Sequence, residues 1–154
     1  MNAEQLVKYA ARKVEKLWKR QGEIHAMYHY VRSNGTHGVI AAPVTADADK
    51  DVIVAFARAV FKTEDVVAYV FVTEIWEAIV LDGEKKPEGS LEHVAGRTEH
   101  VMLMGEDDKG MVYGKMEINR PKGREPYLSL LKFDRPGDME GRMVGLLPQR
   151  GSKQ

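Results

Sequence analysis

The sequence predicts an α+β fold, with two N-terminal-half helices packed on a largely antiparallel, meander-type sheet of about five to seven strands. Three observations predict it. Residues 66–81, VVAYVFVTEIWEAIVL, form a β-branched and aromatic run suited to a buried central strand. Two segments ahead of it space their apolar residues at helical intervals. Behind it, turn signals recur between short alternating runs, with the short connections of a meander. No βαβ alternation is present, which argues against a doubly wound nucleotide fold.

Length and composition set the outer bounds. A chain of 154 residues with 44% hydrophobic and 30% charged residues fits one domain, expected over 1–147, with 148–154 as a flexible tail. The absence of cysteine excludes disulfides, thiolate catalysis and Cys-ligated zinc or iron–sulfur centres. The start, MNAEQLVKYAARK, lacks the apolar core of a signal peptide, and the 66–81 run is too short and too acidic to span a membrane. A soluble, cytoplasmic protein without membrane contact is expected. Net charge is zero but polarised: residues 1–22 and 120–154 each carry +4, and residues 23–119 carry −8.

In chain order, Asn2 and Gln5 form a capping-box signal for a first helix. Its apolar stripe is Val7, Ala10, Ala11, Val14, Leu17 and Trp18, its basic side includes Lys8, Arg12, Lys16, Lys19 and Arg20, and Gly22 closes it. Glu23–Pro43 reads as a hairpin about Asn34-Gly35. A two-residue turn there sets Arg32 opposite His37 and His29 opposite Ile40. His25 and His29, four apart on a strand, lie roughly 13 Å from each other, too far for one metal ion. A second helix follows Pro43, with Asp47, Asp49 and Asp51 near its positive end. Val52, Ile53, Phe56, Ala59 and Val60 make a broad apolar stripe, and Val54 and Phe61 spread apolarity round the cylinder, so the helix is either more buried than the first or lies at an interface. Beyond the central strand, 82–98 reads as a long polar loop, 99–106 and 111–119 as a second hairpin, and Tyr127–Phe133 and Met143–Leu147 as two further strands. The helices are expected on one face of the sheet or across its ends.

The chemistry-bearing motifs are mostly missing: no Gly-x-Ser-x-Gly elbow, no phosphate-cradling glycine loop, no HExxH. What remains is a loose set, Glu74, Glu77, His93, Glu99 and His100. A hydrolase-like reading places general acid–base work on Glu74 with His93 or His100, with or without a metal. An extended 66–81 strand, however, sends Glu74 and Glu77 to opposite faces. Trp76, Arg97, Arg120 and Arg124 have the chemistry for ligand contacts. No motif implies a cofactor or a metal centre. Nucleic-acid binding through the basic first helix is weakened by the neutral overall pI and by Trp18 falling on the core stripe. The expectation is a non-enzymatic binding or regulatory module acting as a homodimer or with a protein partner, and a small-molecule ligand is compatible with the long polar loop.

Overall fold

The first helix, α1 (Ala3–Gln21), starts where the sequence says it must. Asn2 Oδ1 accepts from Gln5 N at 2.8 Å, and Gln5 Oε1 accepts from Asn2 N at 2.9 Å. Two otherwise orphaned amides are thereby satisfied. A third, Ala3 N, donates to Asp107 Oδ2 at 2.7 Å and fixes the helix start to the sheet. The computed structural model describes residues 1–43, 47–77, 97–134 and 143–148. Its remaining elements are β1 (Met27–Arg32), β2 (His37–Ala41), α2 (Asp47–Thr63), β3 (Val66–Glu77), β4 (Thr98–Asp107), β5 (Gly110–Asn119), β6 (Tyr127–Leu128) and β7 (Lys132–Asp134). All pairings are antiparallel, in the order β2-β1-β3-β4-β5-β6, with β7 also on β5. The expected α+β architecture is therefore present, with β3 central.

Each face of the sheet has its own core. On one, α1 buries Leu6, Val7, Ala10, Val14 and Trp18 against Val70, Val72, Val101, Leu103 and Met116. Each of the larger of these side chains contributes about 1.5–3 kcal/mol. α1 comes in close because two glycines leave room. A Cβ on Gly105 would stand 2.8 Å from Val7 Cγ2, and one on Gly114 would stand 3.1 Å from Val7 Cγ1. On the other face, Phe61 of α2 stacks on Tyr69 at 4.8 Å and meets Tyr28 and Tyr30 edge-on or tilted. The helices thus sit on opposite faces. The alternation of apolar residues along β3 on both sides requires this, since a single helical layer would leave Tyr69 and Phe71 or Val70 and Val72 uncovered.

Several expectations need correction. The first hairpin has a three-residue loop, Ser33-Asn34-Gly35: Arg32 N bonds to Thr36 O, and Gly35 N to Arg32 O. Gly35 takes φ 88°, and Asn34 Oδ1 accepts from Thr36 N, so the side chain and the left-handed glycine together stabilise the longer turn. The register moves by one, giving His29↔Val39 and Val31↔His37. α2 does not bury its whole apolar set, since Ala57 and Phe61 face the core while Val52, Phe56 and Ala59 are exposed. Tyr127–Phe133 is two short strands with a break between them. Met143–Leu147 is not a strand. Gly145 at φ 74° turns it, and it lies as a cap on the α2 face, with Met143 and Leu146 buried. Tyr28 Oη donates to Met143 O at 2.7 Å, and Leu146 N donates to Glu106 Oε1 at 3.0 Å. The expected continuation of β3 to Leu81 and most of the 82–98 loop fall outside the described residues; Thr98 already belongs to β4.

Candidate functional site

β3, β4 and β5 run side by side, and the register fixes which side chains can meet at their shared end. Trp76 pairs with Glu99, and Glu99 with Ile118. Positions 74, 76, 97, 99, 118 and 120 therefore alternate onto the face that α1 covers. Past the end of α1, all of these but Glu74 line a cleft of about 540 Å³, together with Asn119 and Tyr127. The Arg97 guanidinium lies 4.6 Å from the Trp76 ring centre, within cation–π range. Arg120 grips Glu99 with both arms of its fork, Nε to Oε1 at 2.8 Å and Nη2 to Oε2 at 3.0 Å. Those hydrogen bonds, with the nearby charges of Glu99 and Glu74, raise the Arg120 pKa against the opposing effect of burial.

Glu74 reaches the same end of the sheet from beneath α1, where its Oε2 accepts from Ile24 N at 2.6 Å. It thereby satisfies a buried amide just after the helix. Of the four residues expected to bind a ligand, Trp76, Arg97 and Arg120 come together here. Arg124 is exposed in the following turn and does not line the cleft.

His100 is on the other side of the sheet. It pairs with Ile75, so it faces with Glu77 rather than Glu74. Its Nε2 is 2.9 Å from Thr98 Oγ1 and 3.8 Å from Glu77 Oε2, and its buried Nδ1 has no hydrogen-bond partner. Glu77 also takes Lys115 Nζ at 3.4 Å, and Lys115 reaches Asp134 at 3.1 Å. Burial would lower the lysine's pKa, but the bonds to Asp134 and Glu77 outweigh it and leave the group firmly charged. Two of the three residues named for catalysis, Glu74 and His100, thus stand on opposite faces of one sheet. The third, His93, lies outside the described residues.

No family model matches this chain, and comparison with curated proteins and with solved structures gives no significant match. Its chemistry has to be read from its own residues.

One cluster escapes the sequence because of the one-residue register change. With the three-residue loop, His29 and His37 share the α1 face, and His29 Nε2 lies 3.0 Å from His37 Nδ1. Tyr9 of α1 stacks on His37 at 4.6 Å. Burial first, then the charges of His37 and Lys13, lower the His29 pKa to about 4. A two-residue turn would have sent these imidazoles to opposite faces. The usable signal was the Ser-Asn-Gly triplet, which supports either loop. Among the described residues no three His, Asp or Glu side chains converge as a metal site would require.

Proposed function

We propose that this chain is a non-catalytic binding module that works as a homodimer, two copies pairing through the outer face of α2. The observation that carries the reading is an apolar stripe turned to solvent. Val52 is 71% exposed and Phe56 58% exposed. Ala55 and Ala59 are exposed beside them. These positions recur at i, i+3, i+4 and i+7, the spacing of a helix seam, with small residues that permit close approach. The helix is polarised along its length. Asp49, Lys50 and Asp51, net −1, lie toward its start and Arg58 and Lys62 toward its end. An antiparallel, two-fold pairing sets the acidic half of each copy beside the basic half of the other, the self-complementarity that an isologous interface needs.

Burying the exposed parts of Val52 and Phe56 from both copies contributes roughly 4–8 kcal/mol. Association costs about 4–15 kcal/mol, so a weak, concentration-dependent dimer is expected rather than a permanent one. Sedimentation velocity across a hundredfold range of concentration tests it. A concentration-dependent dimer, converted to monomer by Phe56→Asp with unchanged circular dichroism, is expected. A strict monomer throughout, or a dimer indifferent to Phe56→Asp, overturns the reading.

A further inference from the structure

We propose that the groove between α1 and the β1–β2 edge binds one free amphiphilic carboxylate, an apolar body of about a dozen non-hydrogen atoms with a single anionic head. The groove lies across the sheet from α2, so the inference stands or falls separately from dimerisation. Its volume of about 430 Å³ lies in the range of small-ligand sites. At interior packing density that space takes roughly fifteen non-hydrogen atoms, a medium-chain acid rather than a long lipid.

Its interior is apolar: Val14, Leu17, Met27 and Val72 line it, with Val39 on its sheet side. Val39 is 58% exposed although it points to the same face as the α1 core, and the contact that Tyr9 of α1 makes with β2 falls on His37 instead. At one side stands His29, uncharged at neutral pH and already engaged with His37. It therefore presents an aromatic edge rather than a second cation.

The rim is cationic. Lys13, Lys16 and Arg20 line the groove from α1, and no acidic residue lines it. Lys13 lies over the Tyr9 ring at 5.4 Å. Lys16 and Arg20, at i and i+4, point the same way and make no ion pair with a carboxylate among the described residues. An apolar trough edged on one side by three cations is complementary to a molecule with one anionic end and an apolar remainder. Neutral apolar molecules leave the cations unused, and free phosphate leaves the trough empty.

Titration of the full chain with decanoate tests this, followed by calorimetry and by the Val39 methyl and His29 imidazole resonances. The expected result is saturable one-to-one binding that shifts both signals, with decanol at least tenfold weaker. The double variant Lys16→Glu/Arg20→Glu should weaken decanoate binding roughly tenfold or more, since both side chains are exposed and the fold does not depend on them. Val39→Glu, also at an exposed position, should do the same from the opposite wall. Non-saturable uptake, equal binding of decanol, or indifference to both variants overturns the proposal. So does binding to phosphatidylglycerol vesicles that decanoate fails to compete away, which would make the basic helix a membrane-surface contact instead.

Discussion

The two helices are of similar length, 19 and 17 residues, yet they hold to the sheet in different ways. α1 is capped, fastened by Asp107, and seated in the hollow that Gly105 and Gly114 leave for Val7. Seven of its residues are buried. α2 anchors through Ala57 and Phe61, with Ile53, Val54 and Val60 partly covered, and turns Val52 and Phe56 outward. α1 spends its apolar surface on the fold, whereas α2 keeps part of its own in reserve. That solvent-facing stripe on an otherwise charged helix is the feature on which the proposed pairing rests.

The largest expected effect of pH lies under α1. His29 takes a proton near pH 4 in the fold but near 6.5 when its surroundings are lost. Between those values the unfolded chain holds more protons, so stability falls as pH drops from about 6.5 to 4 and is flat, as far as this group is concerned, above that window. The full swing is roughly 3 kcal/mol. His37 and Lys13 face the same imidazole and contribute to the shift. Urea denaturation at several pH values in wild type and in His29→Gln is the measurement. The variant should show a shallower acid slope, and parallel slopes would mean that His29 titrates normally.

Next comes the seat itself. Gly105→Val pushes two methyls into a space where even a Cβ stands 2.8 Å from Val7 Cγ2 and 3.3 Å from Ala3 O. Backbone cannot yield as a side-chain tip can, so a loss of about 2–3 kcal/mol is expected. Thermal melts of Gly105→Ala, Val7→Ala and the double variant sharpen the point. The pair should be less destabilised than the sum of the singles, because removing the Val7 methyls relieves the crowding. Strict additivity would show that α1 does not press on Gly105.

How much of this was legible beforehand follows from the physical range of each signal. The α1 cap, the two-sided β3 and the hairpin of β4 and β5 are local patterns, and they read correctly from the chain. The opposite placing of Glu74 and Glu77 likewise follows from period-two alternation alone, and the geometry bears it out: Glu74 meets Ile24 N while Glu77 meets Lys115. The cleft was partly legible, since Trp76, Arg97 and Arg120 were singled out for chemistry, but nothing local says that Arg120 will take Glu99 rather than a ligand. The His29–His37 contact hinged on one residue of loop length, and Ser33-Asn34-Gly35 permits both lengths. Which side of α2 faces the sheet was illegible for a different reason. Its broad stripe of Val52, Ile53, Phe56, Ala59 and Val60 pointed to Phe56, whereas the fold buries Phe61, one of the residues off that stripe. The aromatic surface of Tyr28, Tyr30 and Tyr69 made the choice, and that surface is assembled from two strands.

The smallest expected effect on stability is therefore the most informative about α2. Phe56→Ser, measured by denaturation at a concentration where the chain is monomeric, should change stability by no more than about 0.5 kcal/mol, as for other exposed sites. Phe61→Ala on the same helix should cost about 3–5 kcal/mol, because it empties a fully buried position packed on three tyrosines. Two phenylalanines five residues apart would then differ by a large fraction of a domain's margin of stability, although nothing in their immediate sequence separates them. If Phe56→Ser instead costs several kcal/mol in the monomer, its ring is packing within its own chain. The outer face of α2 would then be part of the core, and the case for pairing through it would fall.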